Sequence, residues 1–346
     1  MHLDREIVKP LLAWYEQNAR ILPWREEPTA YRVWISEIML QQTRVEAVKP
    51  YYHRFMNVLP DVEALAFVED EKLMKLWEGL GYYNRARNLK IAAGQILKDY
   101  DGNLPADYEQ LLSLKGIGEY TAGAIASIAF KIPVPAVDGN VLRVITRIMA
   151  DESDILKAST KKMVTKALLE IIPEEQPGDF NQALMELGAM VCVPNGAPHC
   201  EKCPWNELCL SNKRDLTYKI PVKTPKKQRK IEEKTVFLLE YQGKIAIHKR
   251  PSSGLLAGLW EFPNEDSMIS LAQMEEKLSS WQVQQYKVDV TKKAKHIFSH
   301  IEWHMAGFYV ECQQKPQMDH LVWINREELE HKYAIPAAFE AFKGIL

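Results

Sequence analysis

Four of the five cysteines in this chain, Cys192, Cys200, Cys203 and Cys209, are spaced C-x7-C-x2-C-x5-C, and the fifth, Cys312, stands apart. Four thiolates on one short loop can wrap a single metal centre, because each gap lets the chain turn back on itself. Two disulfides are the competing arrangement. So few cysteines in 346 residues, behind a charged Met1–Pro10 segment with no targeting pattern, do not describe a stapled secreted domain. Zinc and a 4Fe–4S cluster both accept four thiolates, so spacing alone leaves both open.

A chain of 346 residues suggests two domains, and 47% apolar with 26% charged residues is ordinary for a globular protein. No uninterrupted apolar run is long enough to span a bilayer, so the expected setting is intracellular, cytoplasmic and nucleoid-associated, with no membrane partner. The net charge of −2 does not announce a nucleic-acid partner. A phosphate backbone responds to local charge, however, so a local basic patch would suffice.

Residues 1 to about 210 carry apolar side chains at helical spacing, such as Ile7, Leu11, Trp14 and Tyr15. Turn signals interrupt them at Gly79 and Gly81, Gly102 with Pro105, Gly116 and Gly118, and Pro133 with Pro135. The stretch Lys219–Lys230 is basic, holds two prolines and has no apolar period, which is a linker signature. β alternation follows: Thr235–Tyr241 and Lys244–His248 flank Gln242-Gly243 as a hairpin, with further strands in 296–311 and 321–324. Residues 268–281 and 326–342 have helical spacing. The expected domains are therefore a helical domain over 1–212 that includes the cysteine loop 192–209, a basic linker over 213–233, and a small α/β domain over 234–346.

Three motifs carry chemistry. Leu114-Lys-Gly-Ile-Gly-Glu-Tyr-Thr-Ala122 places Gly116 and Gly118 in a tight turn between helices, where free amides can hold a phosphate. In Val137-Asp-Gly-Asn-Val141, Asp138 stands at a helix start. An N-cap aspartate is kept ionised by the helix dipole and could also stabilise a cation forming at a sugar. Glu37 lies in the apolar run Trp34–Leu40; a carboxyl buried beside Trp34 and Ile38 has a raised pKa and can serve as a general acid near neutral pH.

Taken together, Leu22-Pro-Trp-Arg25, Ser36–Thr43, Gly79–Tyr83, the Gly-Ile-Gly turn, Val137–Val141, Phe180–Ala189 and the cysteine loop resemble the MutY-type adenine DNA glycosylases of the endonuclease III, helix–hairpin–helix superfamily. The resemblance continues past the linker, where Leu256–Pro263 and Phe298-Ser-His300 look like that family's MutT-like (Nudix-like) recognition domain. It implies an all-helical helix–hairpin–helix domain with a cysteine-ligated loop, followed by a MutT-like α/β domain. One 4Fe–4S cluster on Cys192, Cys200, Cys203 and Cys209 follows by the same resemblance. Two departures stand out: seven residues, Val193–His199, separate the first two cysteines where the family has six, and this spacer has no Lys or Arg.

The reaction implied is that of a monomeric, monofunctional glycosylase in base excision repair. It would flip out and excise adenine opposite 8-oxoguanine or guanine in double-stranded DNA. By the resemblance, Tyr82 and Gln42 probe or fill the base stack, while Arg20, Leu22, Trp24, Arg25, Leu40, Val45, Gln182 and Glu186 line or support the adenine pocket. Glu37 protonates adenine, Asp138 stabilises the sugar cation, and Asn140 and Tyr120 orient these groups. Ser299 and His300 read the 8-oxoguanine edge. Bifunctional relatives carry a lysine at the Tyr120 position, which forms a Schiff base and drives strand cleavage. The alternative is such an enzyme, an endonuclease III-like glycosylase and lyase acting on oxidised pyrimidines, and Tyr120 argues against it. The C-terminal part has no R-E-x-x-E-E glutamate cluster, so recognition is expected of it rather than nucleotide hydrolysis.

Overall fold

The computed structural model describes residues 3–225 and 228–346. Two residues of the expected linker, Lys226 and Lys227, lie outside the described residues. The chain divides into two compact units, residues 1–68 with 87–225 and residues 69–86 with 226–346. Among the described residues no helix is long and apolar enough to cross a membrane.

The first unit is helical, as the 3.6-residue period requires. In chain order its helices are α1 (Val8–Asn18), α2 (Pro23–Glu26), α3 (Ala30–Leu40), α4 (Val45–Val58) and α5 (Val62–Phe67). After α6 (Asp70–Trp77), which belongs to the second unit, come α7 (Asn84–Tyr100), α8 (Tyr108–Ser113), α9 (Glu119–Phe130), α10 (Gly139–Met149), α11 (Ala158–Leu169), α12 (Pro177–Met190) and α13 (Leu210–Lys213). Side-chain oxygens start several of them: Thr29 caps α3, Asp61 caps α5, Asp107 caps α8 and Asp138 caps α10, each accepting from a first-turn amide. Val141, Val144, Ile145 and Ile148 of α10 meet Phe180, Ala183, Leu184 and Leu187 of α12 in one buried cluster with Leu11 of α1. Gly188 makes the α10–α12 contact close, since a Cβ there would lie 2.7 Å from the Asn140 Cβ. Trp205, 2% exposed, joins the same core and donates its indole N–H to the Ile7 carbonyl at 2.8 Å, which ties the cysteine loop down.

In the second unit, β1 (Lys230–Tyr241), β2 (Lys244–Lys249), β3 (Trp260–Glu261), β4 (Asn264–Glu265), β5 (Tyr286–Val290), β6 (Ala294–Ile297), β7 (Ile301–Cys312) and β8 (Val322–Ile324) form a sheet of order β3-β2-β1-β7-β5, with β4 on β1, β6 on β7 and β8 on β2. Gln242 and Gly243 both have positive φ, 51° and 73°, so the β1–β2 hairpin turns in the form whose twist matches its strands. β1 runs parallel to β7 from Lys230↔Ile301 to Glu240↔Glu311. Sheet face residues Val236, Leu238, Ile245, Ile247, Trp303 and Met305 bury against Phe339 and Phe342, and the opposite face packs Phe237, Leu239, Phe308 and Val310 against α14 (Leu271–Ser280).

Three expectations change. β1 begins at Lys230, inside the segment read as linker, because parallel pairing with β7 supplies backbone partners that composition does not reveal. At the other end of that segment, Ile220 is 1% exposed and Thr217 is 7% exposed, packed in the first unit. The helical pattern over 326–342 breaks into α15 (Arg326–His331), a 3-10 turn (Ala337–Phe339) and α16 (Glu340–Lys343), because Pro336 disfavours helix in the residue before it. The segment Glu69–Ala86 sits with the C-terminal unit although its sequence is helical and precedes most of the helical domain.

Candidate active site

The sequence brings most of its candidate residues to one cavity of about 460 Å³ in the first unit, lined by Arg20, Leu22, Trp24, Arg25, Glu37, Leu40, Gln42, Val45, Tyr120, Asp138, Asn140, Gln182 and Glu186. Gln41, Thr43, Gly139, Met185 and Ala189 complete the wall. Met185 and Ala189 were not expected there, yet Gln182, Met185, Glu186 and Ala189 share one face of α12 at i, i+3, i+4 and i+7, a spacing that was legible in the sequence. Gly116, Gly118, Tyr82, Ser299 and His300 are not part of this wall.

The cavity holds three carboxyls in three different environments. Glu186, 2% exposed, is pushed up by burial, but two arginines outweigh that and hold it below the usual carboxylate range. Arg20 grips it through Nε at 2.8 Å and Nη2 at 2.7 Å, and Arg25 Nη2 adds a third bond at 2.9 Å. The bidentate fork fixes both partners and commits this carboxylate to structure. Arg25 also donates to Gln182 Oε1 at 2.9 Å.

Glu37 has no such cation in contact. Its carboxyl is 6% exposed on the buried face of α3, and burial raises its pKa to about 7, with the charge of Asp138 adding to the rise and the Tyr120 hydroxyl opposing it. Tyr120 donates to Glu37 Oε2 and also contacts Met185 Sδ at 3.2 Å. The same burial and the two carboxyls drive the Tyr120 phenol well above its ordinary pKa, so it remains a donor. A carboxyl poised near neutral pH beside a fixed phenol is equipped to give up a proton.

Asp138 caps α10, with Oδ1 accepting from the Val141 amide at 2.8 Å and Oδ2 from Asn140 Nδ2 at 2.8 Å. The helix-start expectation of an easily ionised group is corrected in direction: burial outweighs these donors and raises its pKa. Asn140 is in turn held by Arg143, whose Nη2 donates to Asn140 Oδ1 at 2.8 Å and to the Gly188 carbonyl at 2.7 Å, while its Nε donates to the Cys192 carbonyl at 2.8 Å.

The Gly-Ile-Gly turn precedes α9. Gly116 has φ +80°, and a Cβ there would meet the Asn88 Cβ at 2.6 Å, so only glycine fits. Gly118 has an ordinary φ of −99° and serves as the N-cap, so its freedom is not required. Glu119 and Tyr120 open α9, whose first amides have no partner within the helix.

Gln42 and Tyr82 both carry left-handed backbones, φ 60° and 47°. Non-glycine residues pay about 1–2 kcal/mol for this region and hold it only where the surroundings impose it. In the second unit the Tyr82 hydroxyl is 3.1 Å from Ser299 Oγ. Ser299 and His300 are exposed on the turn between β6 and β7, which the Phe298 amide closes onto the Ile301 carbonyl at 2.9 Å.

None of the four loop cysteines is in a disulfide, and all are partly buried. Burial raises Cys200, Cys203 and Cys209, Cys203 to about 12, and each is raised further by its neighbouring cysteines. Backbone amides of Trp205, Ser211 and Asn212 donate toward Cys203 and Cys209, and Arg147 Nη1 lies 3.3 Å from Cys192 Sγ. Thiols that repel one another as anions yet receive several N–H donors match the demands of a cationic centre held by thiolates. Among the described residues no group of three or more His, Cys, Asp or Glu side chains has the geometry of a single-ion site. Cys312 is buried in the second unit and lies outside this group.

Comparison with known proteins agrees with this layout. Residues 35–174 match the HhH-GPD superfamily of base excision DNA repair proteins, and residues 235–343 match the NUDIX domain. The adenine DNA glycosylase of Schizosaccharomyces pombe is 33% identical, covering 93% of this chain and 85% of that protein. That of Mus musculus is 34% identical, covering 88% and 70%, and that of Buchnera aphidicola subsp. Schizaphis graminum is 35% identical, covering 87% and 86%. Among solved structures, a thermostable thymine-DNA glycosylase is 29% identical with a TM-score of 0.55, covering 61% of this chain and 97% of that one. An endonuclease III bound non-covalently to DNA is 25% identical with a TM-score of 0.52, covering 62% and 99%. With a helical repair domain, a NUDIX domain and full-length relatives of one activity, this chain belongs to the adenine DNA glycosylase family.

Proposed function

We propose that this protein is a monomeric, monofunctional glycosylase that removes adenine paired with 8-oxoguanine or guanine in double-stranded DNA. The observation that carries the reading is the pairing in one cavity of Glu37, poised near pH 7, with a second buried carboxyl, Asp138. An adenine within a duplex hides its glycosidic bond, so it must be flipped into such a cavity. There the Glu37 carboxyl gives its proton to adenine N7. The C–N bond breaks, the electron pair leaves with the base, and the oxocarbenium-like sugar that remains is stabilised by the Asp138 carboxylate. Water then adds to the sugar C1′ and gives up a proton that restores the Glu37 carboxyl. Tyr120 fixes the Glu37 carboxyl and Asn140 fixes that of Asp138. Arg20, Arg25, Gln182 and Glu186 form a rigid wall, and Leu22, Trp24, Leu40 and Val45 supply apolar contact for the base.

Gln42 and Tyr82, both exposed and both on left-handed backbones, would enter the stack. The amides around Gly116 and Gly118 would hold a backbone phosphate. Ser299 and His300 offer a hydroxyl and an imidazole to the two changes that mark 8-oxoguanine, its N7–H donor and its C8 oxygen.

The test is excision from duplexes carrying adenine opposite 8-oxoguanine, guanine or cytosine, and thymine glycol opposite adenine, resolved with and without alkali. The expected result is an alkali-dependent break at adenine opposite the first two partners alone. No borohydride-trapped protein–DNA adduct should form, because Tyr120 stands where a Schiff base would need an amine. Trapping, or cleavage at thymine glycol, would instead support the bifunctional pyrimidine reading.

Cys192, Cys200, Cys203 and Cys209 are the residues that would hold one 4Fe–4S cluster. When bound, it would order the loop and take no part in base chemistry. Protein purified without oxygen should contain iron and sulfide and no stoichiometric zinc. The Cys203→Ser variant should lose iron and expose the loop to proteolysis. Zinc in place of iron would refute the assignment.

A further inference from the structure

We infer that Lys75 and Glu78 are specificity-positioning residues, which set the wedge residue Tyr82 in register with the lesion reader Ser299. The inference rests on the recognition role proposed for Ser299. Tyr82 and Ser299 are 217 residues apart in sequence, yet their hydroxyls meet at 3.1 Å, so something must carry the segment 69–86 to the C-terminal sheet. The described contacts identify a knot of polar groups. The Lys75 ammonium, on α6, donates to the Leu329 carbonyl at 3.1 Å and the Tyr333 carbonyl at 3.1 Å and pairs with Glu78 Oε2 at 2.6 Å. An ammonium has donors enough for all three of these acceptors. Leu329 lies in the short helix α15, and a cation suits its unpaired terminal carbonyls. Glu78 uses its other oxygen, Oε1, to accept from the Ile335 amide at 3.0 Å, and that oxygen has Lys343 at 3.8 Å. Both side chains are largely buried, at 15% and 18% exposure, where water screens such contacts weakly.

From Glu78 the path to Tyr82 is short and stiff. The turn Gly79–Tyr82 has positive φ at Gly79, Gly81 and Tyr82. Its carbonyls are held from within: Trp77 Nε1 donates to the Gly81 carbonyl at 3.1 Å, and Arg85 Nη2 donates to the Leu80 and Gly81 carbonyls at 2.9 and 3.1 Å. Arg85 also lies over the rings of Trp77 and Tyr82, at 5.3 and 5.7 Å. A displacement at Glu78 is therefore passed to Tyr82 rather than absorbed by the turn. None of these groups lines the adenine cavity, so their loss should alter partner discrimination and not base excision itself.

The test measures single-turnover excision rates and affinities for adenine opposite 8-oxoguanine and opposite guanine, in the full-length protein. Lys75→Met removes the donors and keeps the length of the side chain. The expected result is a fall of about ten-fold in the preference for 8-oxoguanine, the scale of one well-placed hydrogen bond, with excision opposite guanine nearly unchanged. Lys75→Arg, which still offers several donors, should restore most of the preference. The Lys75→Met, Ser299→Ala double variant should lose no more preference than Ser299→Ala alone, since both act through the same contact. Glu78→Gln keeps an acceptor for Ile335 but loses the ion pair; it should show a smaller fall, and it carries the test if Lys75→Met does not fold. An unchanged preference in a folded variant, or additive losses in the double variant, would overturn the inference. If Ser299→Ala itself leaves the preference intact, the recognition reading fails instead.

Discussion

Replacing Glu37 with glutamine should abolish adenine excision, lowering the single-turnover rate by about 10²–10⁴-fold, while binding to the mispaired duplex survives. Gln keeps the shape of the side chain and still accepts from Tyr120, but carries no proton to give. The wild-type rate should fall about ten-fold per pH unit above roughly pH 7, because only the protonated carboxyl is a donor and its pKa is about 7. The glutamine variant's residual activity should lack that limb. Stability should fall with rising pH as well, over a lower window. Because the folded-state pKa is raised above the ordinary 4.5, the folded protein holds a proton that the unfolded chain releases between about pH 4.5 and 7. Stability is therefore lost as pH rises through that window. Removing the ionisable group should recover up to about 3 kcal/mol at pH 8, read by chemical denaturation. Normal excision by Glu37→Gln would end the assignment, and so would an unshifted stability profile for the physical argument behind it.

Asp138→Asn should lower excision by about 10²–10³-fold, the scale of losing one preorganised charge at the reacting centre. Asparagine caps helices about as well as aspartate, so α10 should keep its start to within about 1 kcal/mol. The substitution thus separates the cap from the proposed catalytic role: the bond at Val141 is retained and the charge proposed to stabilise the sugar is lost. A second readout follows from the neighbouring carboxyl. Burial is the main reason for the raised Glu37 pKa, and the charge of Asp138 adds to it. Without that charge, the basic limb of the residual rate should move to lower pH. A variant with full activity, or one whose helix unfolds while the limb stays in place, would contradict this assignment.

Several features were legible in the residues themselves. N-cap chemistry indicated where α10 begins, and the apolar run around Glu37 that it falls on a buried face, because local sequence decides both dihedral preference and which side chains share a stripe. The cavity wall was legible through the family resemblance alone, which named Arg20 and Arg25 near the N-terminus and Gln182 and Glu186 together on α12, while the contacts among them were not. Tyr120 and the four cysteines were legible as residue types in a recognisable order.

Tertiary structure alone decided the rest. Asp138 sits at a helix start, which by itself favours ionisation; only packing shows that it is buried deeply enough for desolvation to prevail. Both Glu186 and Glu37 are buried glutamates, and only the arginine fork around one of them separates an ion pair from an acid. The pairing of β1 with β7, and the passage of residues 69–86 into the second unit, depend on partners far away in the chain. Sequence by itself determined the local elements and the chemical groups they carry, because dihedral preference and apolar period act over a few residues. The direction in which each carboxyl's pKa moves and the meeting of Tyr82 with Ser299 were settled by the fold, because burial and opposing partners come from residues distant in the chain.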